Sequence, residues 1–182
     1  MTILLARHGE TDDNIEPIRI QGSLDTPLND TGRAQAAELA ERVAGEGIAS
    51  LWSSQLSRAR ETAEIVGRAI GLSPVVVDER FAEGNRGELE GRLWQDVERD
   101  DPELYAAWRR AGEGFRFPGG ESLREQQERT LAALEDVRAA GPLPALVVAH
   151  GGSIRVVRCH EDPRGLDAFH DWDVPNVAVI RL

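Results

Sequence analysis

The chain has no lysine: all 21 basic residues among its 182 are arginines. That absence removes two chemistries. No Schiff base can form on a side-chain amine, and no P-loop can lay its lysine along a nucleotide's phosphates. Cysteine is nearly absent too. The single Cys159 excludes an internal disulfide and a cysteine-built zinc site, and is read as a small core residue. Long apolar runs are missing. Nothing approaches the roughly 18 residues that span a bilayer, and no basic segment precedes the first apolar run. Neither a membrane span nor a signal peptide is therefore expected, and a cytoplasmic location is. With 32 acidic residues the formal charge is −11, which argues against a nucleic-acid partner held on a basic face. Local arginines can still reverse the field inside a cleft that takes a small anion. The chain also lacks an H-E-x-x-H metal motif and a G-x-S-x-G nucleophile elbow. No metal or other cofactor is expected, and His150-Gly-Gly-Ser153 has no serine nucleophile to serve.

What is present alternates. A length of 182 residues and a hydrophobic content of 41% fit one domain, 1–182, with a proper core. Strand signals at 2–6, 49–53, 75–77, 145–149 and 177–182 are separated by helical patterns. Asn29 is a candidate N-cap for a helix with Ala36, Leu39, Ala40 and Val43 on one face. A second helix spans 57–70 and stops at Gly71, and the capping-box spacing of Ser122 and Glu125 opens a third, reaching about Ala140. A fourth is expected over 153–159. The stretch 79–121 is rich in glycine, carries two short helical pieces, and reads as an insertion covering one edge of the sheet. The pattern predicts an α/β fold: three layers, α/β/α, around a mostly parallel central sheet.

Two apolar runs end alike. One stops at Arg7-His8-Gly9 and the other at His150-Gly151-Gly152. If those strands are parallel neighbours, both histidines stand at the sheet edge where open α/β sheets bind ligands. Gly9 would let another group approach closely. Arg58, at the start of a helix after the second strand, adds a cation where the helix dipole already favours an anion. Arginine forks, histidines and backbone N–H groups suit a phosphate.

These blocks occur in a familiar order. Arg7-His8-Gly9-Glu10-Thr11 with Asn14 is followed by Arg19-Ile20-Gln21-Gly22 and Asp25-Thr26-Pro27-Leu28. Ser53-Ser54 and Arg58 to Thr62 come next, then Glu83 with Gly87-Glu-Leu-Glu-Gly91, Gly119 to Ser122, and Ala149 to Gly152. The chain resembles the histidine phosphatase superfamily, in its phosphoglycerate mutase-like branch. The resemblance implies a phosphoglycerate mutase-like fold and a small phosphomonoester substrate. It also implies that His8 is a nucleophile forming a phosphohistidine and that Glu83 protonates the leaving alcohol. Arg7, Arg58 and His150 would hold the phosphoryl oxygens, with Asn14, Gln21, Gly22 and the Gly151 N–H completing the pocket. Flanking arginines would keep His8 neutral, and a bound phosphate dianion would raise the Glu83 pKa.

The sequence departs from the common family pattern at Asp13, where an aromatic is usual, at Leu89, where tryptophan is frequent, and at Arg86, where an apolar or aromatic residue is usual. Arg86 is read either as a specificity residue near the mouth or as an arginine turned to solvent. Trp94, Trp108, Phe115, Arg109 and Arg116 are further candidates for the leaving-group pocket. His160 and His170 are expected at the surface, and Glu121 and Ser122 at a helix start beside the pocket. The Gly87–Gly91 and Gly119–Ser122 segments resemble those of broad phosphatases, including α-ribazole phosphatase-like proteins. The shorter spacing to the second histidine, and a chain ending on its last strand, point the same way. A metal-independent phosphatase is therefore expected, as a monomer or homodimer. A mutase is the alternative, and a non-catalytic phosphoester-binding regulator a more distant one.

Overall fold

In the computed structural model, which describes residues 2–182, five strands form one sheet in the order β3-β2-β4-β1-β5. They are β1 (Ile3–Arg7), β2 (Ser50–Ser53), β3 (Val75–Val77), β4 (Ala145–Ala149) and β5 (Val179–Arg181). The pairs β1/β4, β2/β4 and β2/β3 are parallel, and only β5 runs antiparallel, along β1. Helices cover both faces. They are α1 (Asp30–Val43), α2 (Ser57–Ile70), α3 (Trp94–Asp100), α4 (Pro102–Arg109), α5 (Leu123–Ala140) and α6 (Gly151–Glu161). The expected three-layer α/β/α architecture is what the chain adopts. Among the described residues no helix is long and apolar enough to cross a membrane.

The alternation of side chains along a strand explains the layers. Ile3 and Leu5 of β1 face one core with Leu134 and Val137 of α5 and Ile154 and Val157 of α6. Leu4 and Ala6 face the other, with Leu39 and Val43 of α1 and Ala63 and Val66 of α2. Strand β4 is buried along its whole length, so apolar residues run through it without interruption. A third cluster joins the 79–121 segment to α6 and a short 3-10 helix at Gly165–Asp171 through Trp108, Phe117, Val156 and Phe169.

Local chemistry sets most boundaries. The Asn29 side chain accepts from Gly32 N at 2.8 Å, the Ser122–Glu125 capping box is formed, and Gly71 ends α2 in the left-handed region. Two boundaries differ from expectation in ways that matter. Arg7 is the last residue of β1 rather than a loop residue, because it still pairs in register with Ala149. Helix α6 begins at Gly151, two residues early, so His150 is its N-cap. The 3-10 helix at Gly165–Asp171 had no clear periodicity to announce it. Gly9 does permit a close approach, but to the chain itself. A Cβ there would lie 2.3 Å from the Gly32 carbonyl oxygen, where α1 crosses the end of β1.

Candidate active site

The carboxyl ends of β1, β4 and β2 lie together because β4 returns between β1 and β2, a reversal of strand order that opens a crevice. A cleft of roughly 540 Å³ sits there. Arg7, His8, Asn14, Gln21, Gly22 and Arg58 line it, as do Glu83 and Gly151. His150 stands directly behind them, fully buried, its ring 5.1 Å from that of His8. The residues selected for the phosphate pocket thus gather in one place, drawn from two parallel strand ends, two helix starts and three loops.

The His8 ring is fixed by its own backbone. Nδ1 lies 2.6 Å from the Gly9 carbonyl oxygen, and a carbonyl can only accept, so Nδ1 carries the proton and a neutral ring keeps its lone pair on Nε2. Burial first, then Arg58 and Arg7, hold the His8 pKa well below the usual histidine range. His150 is likewise held neutral by burial and then by Arg58. Its Nε2 is 2.7 Å from Ser54 Oγ, which also accepts from Leu56 N, while its Nδ1 has no partner within the protein.

The two phosphate-binding candidates among the arginines are each held by one end. Arg7 donates to Val174 O at 2.6 Å, and Arg58 to Leu24 O at 2.6 Å and Gly22 O at 2.9 Å. Arg58 therefore pins the 21–24 loop as well as carrying charge. The Nε atoms of both arginines are buried without a partner. Burial lowers the Arg58 pKa to about 10, which leaves it charged at neutral pH. Six arginines line the cleft against three glutamates, so its wall is cationic in a protein of net charge −11.

Glu83 sits among donors. Oε1 accepts from Gly84 N at 2.8 Å, Gln126 Nε2 at 2.9 Å and Arg86 at 3.2 Å, and Oε2 accepts from Gly152 N at 2.9 Å. Burial alone would raise its pKa, but Arg86, the two backbone N–H groups and the Gln126 amide outweigh it and bring it down to about 2. Its backbone is held from behind. Arg129 of α5 donates to the carbonyls of Arg80, Ala82 and Glu83 while gripping Glu121 through two bonds of 2.6 and 2.9 Å. Glu121 is thus more than a helix-start residue. Of the neighbouring acids, Glu79 and Glu88 are exposed, and Glu90 is engaged with Ser23 and the Arg86 N–H.

Several residues lie where the sequence did not place them. Arg86 is not a solvent arginine: it is buried against Glu83, over the rings of Phe117 and Trp108. His170 is not a plain surface residue. Its Nε2 donates to Trp108 O at 2.7 Å and its ring packs on Trp108 at the cleft wall. Arg116 bonds Glu125 and the Gly120 carbonyl at the surface, away from the cleft, and Phe115 packs on Trp108 from outside the lining. Arg109, Trp94 and Trp108 do line it, with the two indoles stacked 5.5 Å apart.

Asn176 was missed altogether. Its amide donates to His8 O at 3.1 Å and Asn14 Oδ1 at 3.3 Å, and Val177 N adds a 3.3 Å bond to the same His8 carbonyl. Val177 holds a φ of 52°, an uncommon conformation for a β-branched residue. A lone Asn-Val pair carries no motif that could have announced this clamp. Cys159 is buried as expected, which pushes its thiol up to about 11, and His160 is exposed.

Comparison with known proteins decides the family. The model of the histidine phosphatase superfamily (branch 1) matches residues 3–182. The chain belongs to that superfamily. Within the histidine phosphatases it is 40% identical over 157 residues to phosphoglycerate mutase-like protein 4 of Arabidopsis thaliana, covering 84% of this chain and 67% of that protein. A mycobacterial glucosyl-3-phosphoglycerate phosphatase solved with VO3 superposes with a TM-score of 0.88 at 30% identity, covering 99% of this chain and 90% of its own. The YhfR protein of Bacillus stearothermophilus gives 0.88 at 30% identity, with 99% and 89% covered. Histidine phosphatase relatives thus carry both mutase and phosphatase names.

Proposed function

We propose that this protein is a metal-independent phosphomonoester hydrolase that works through a phosphohistidine at His8. The observation that carries the reading is the His8 tautomer: with Nδ1–H spent on Gly9, Nε2 presents a lone pair in an arginine-walled cleft. A neutral imidazole is the nucleophilic form, and burial between cations keeps it neutral at ordinary pH.

The oxygen-binding roles follow from the unpartnered groups. Arg7 Nε and Arg58 Nε are buried donors without acceptors, and a phosphoryl group supplies acceptors. Ser54 Oγ, which accepts from Leu56 N, can donate its own proton to His150 Nε2, and in that tautomer the His150 Nδ1–H is a further donor. Thr11 Oγ1 can donate or accept, so the Gln21 amide is satisfied in either orientation, and one of them frees its NH2 for an anion. Asn14, the Gly22 loop and the Gly151 N–H at the start of α6 complete the cradle. These fixed cations and dipoles stabilise charge at phosphorus and align the ester for in-line attack.

In the first step the His8 Nε2–P bond forms as the P–O bond to the alcohol breaks, and Glu83 delivers a proton to the departing oxygen. In the second, Glu83 as carboxylate takes a proton from water while that water attacks phosphorus and releases His8. The substrate is a small phosphomonoester, and the protein acts without nucleic acid, membrane or metal.

The decisive experiment is acid-quench trapping of labelled phosphate on the wild type and His8→Ala, with phosphate release from an ester panel measured in EDTA. Labelling of the wild type alone, with EDTA-insensitive turnover, is expected. An enzyme that binds phosphate but never becomes labelled would be a binding protein instead. The mutase name of the Arabidopsis relative favours a second reading, phosphoryl transfer between hydroxyls of one acid. Incubation with 3-phosphoglycerate and 2,3-bisphosphoglycerate separates the two: efficient isomerisation with little phosphate release would establish the mutase.

A further inference from the structure

Arg86 is built into the acid's surroundings. Its side chain is 8% exposed, with Nη2 3.2 Å from Glu83 Oε1 and the guanidinium carbon 4.5 Å from the Phe117 ring centroid and 5.5 Å from that of Trp108. Two glycines leave the room it occupies. A Cβ on Gly152 would stand 2.6 Å from Arg86 Nη2 and 2.2 Å from Glu83 Oε1, and one on Gly84 would stand 2.9 Å from Arg86 Nη1. Aromatic faces, a carboxylate and two bare backbone segments together hold this cation in place.

The geometry selects one protonation state. Every hydrogen-bonding group on the Glu83 carboxylate is a donor, three of them on Oε1 and the Gly152 N–H on Oε2. A neutral carboxyl would turn its own O–H into that ring of donors. The other charged groups act in the same direction: Arg7 at the end of β1 and Arg58 on α2 lie close enough to be felt by Glu83. His8 is neutral, and Arg155 of α6 and Arg129 of α5 stand near Arg86. Of the other acids, Glu121, whose charge Arg86 feels, is already engaged by Arg129, and Glu90 accepts from the Arg86 backbone N–H and from Ser23. The alcohol nevertheless needs a proton to leave.

We propose that Arg86 is a positioning residue that keeps Glu83 a carboxylate in the free enzyme, so that the leaving-group proton enters with the phosphomonoester itself, as its monoanion. This rests on the reading of His8 as nucleophile and Glu83 as acid. The P–OH proton of the bound monoanion passes to Glu83, and Glu83 passes it to the ester oxygen as the His8 Nε2–P bond forms and the P–O bond breaks. Charge balances: a monoanion and a neutral histidine give a neutral alcohol and a phosphohistidine of net charge −1. An ester whose second phosphate ionisation lies near about 6 is then used only as far as it stays protonated.

The test is the pH profile of kcat/KM from pH 4 to 9, with two alkyl phosphates whose second phosphate pKa values differ by about one unit. In the wild type the alkaline limb is expected to follow each ester's own ionisation, falling about tenfold per pH unit beyond it. In Arg86→Met, which keeps an apolar stem against Phe117 and Trp108, Glu83 loses the cation that lowers its pKa most and becomes easier to protonate. The profile then falls off sooner toward pH 4, because a Glu83 that already holds a proton cannot take the ester's, whereas Arg86→Lys keeps the wild-type profile. A wild-type limb at one pH for both esters overturns the proposal and needs no variant to fold. So does an Arg86→Met profile whose acid end stays put while kcat falls, which would show that Arg86 does not set the protonation of Glu83. Phosphohistidine labelling is scored separately. An unlabelled wild type removes the underlying reading, while a labelled one with an ester-independent limb removes only this inference.

Discussion

Replacing Arg129 by methionine is expected to damage stability and turnover through the same lost contacts. The guanidinium donates five hydrogen bonds, two to Glu121 and three to the carbonyls of Arg80, Ala82 and Glu83. The pair is largely shielded, at 23% and 15% side-chain exposure. Methionine fills much of the volume but leaves the Glu121 carboxylate without its ion-pair partner and the Arg80 and Glu83 carbonyls without their donor, while Ala82 O keeps only Ser153 Oγ. Breaking one side of a buried pair costs about 3–5 kcal/mol, and partial access of water brings the expectation to ~3 kcal/mol. For a chain of this size, ~3 kcal/mol corresponds to a fall in Tm of roughly 6–12 °C.

The catalytic effect of the same change comes from slack in the 80–83 backbone. A displacement of about 1 Å in a reacting group can cost ~100-fold, so kcat should fall by about that factor while KM changes little. Thermal melts of wild type, Arg129→Met, Glu121→Gln and the double variant close a cycle. A large coupling energy is expected, with the double variant less damaged than the sum of the singles. Arg129→Lys should rescue little, because an ammonium cannot span five acceptors. A Tm within about 2 °C of wild type, which is below ~1 kcal/mol, with unchanged kcat would show that Arg129 does not carry the Glu83 backbone.

Two further outcomes follow from the buried ionisable groups. Glu83→Gln should lower kcat by ~10²–10⁴-fold for alkyl phosphates and much less for 4-nitrophenyl phosphate, whose leaving group needs little protonation; an equal loss on both would take the proton-transfer role away from Glu83. The neutral His8 and His150 should make the fold acid-sensitive. Their folded pKa values lie below the unfolded value of about 6.5, so the unfolded chain binds more protons below that pH, and stability falls as pH drops from about 6.5 toward 5. Each histidine can contribute up to ~1.4 kcal/mol per pH unit in that window, whereas Glu83, depressed to about 2, adds its loss only below about 4.5. Denaturant unfolding at pH 5, 6 and 7 checks this, and a flat profile would mean that the histidines titrate normally.

Sequence alone determined the layered fold and which residues stand at its strand ends, because both are written in local signals. Alternating apolar runs, an asparagine cap, a capping box and stopping glycines fix elements through contacts a few residues apart. Arg7-His8-Gly9 and His150-Gly151 mark strand ends, and parallel pairing of those strands puts both histidines on one edge. Tertiary structure alone decided what surrounds the acid. Arg86 could have faced solvent, and only the packing of Phe117, Trp108, Gly84 and Gly152 turned it onto Glu83. The Asn176–Val177 clamp on His8 spans 168 positions from Asn176 to His8, and the Arg129 grip crosses from α5 to a loop more than 40 residues earlier. Such contacts have no period and no spacing. They exist because the folded sheet brings distant backbone carbonyls and charges together out of water, where each needs a partner.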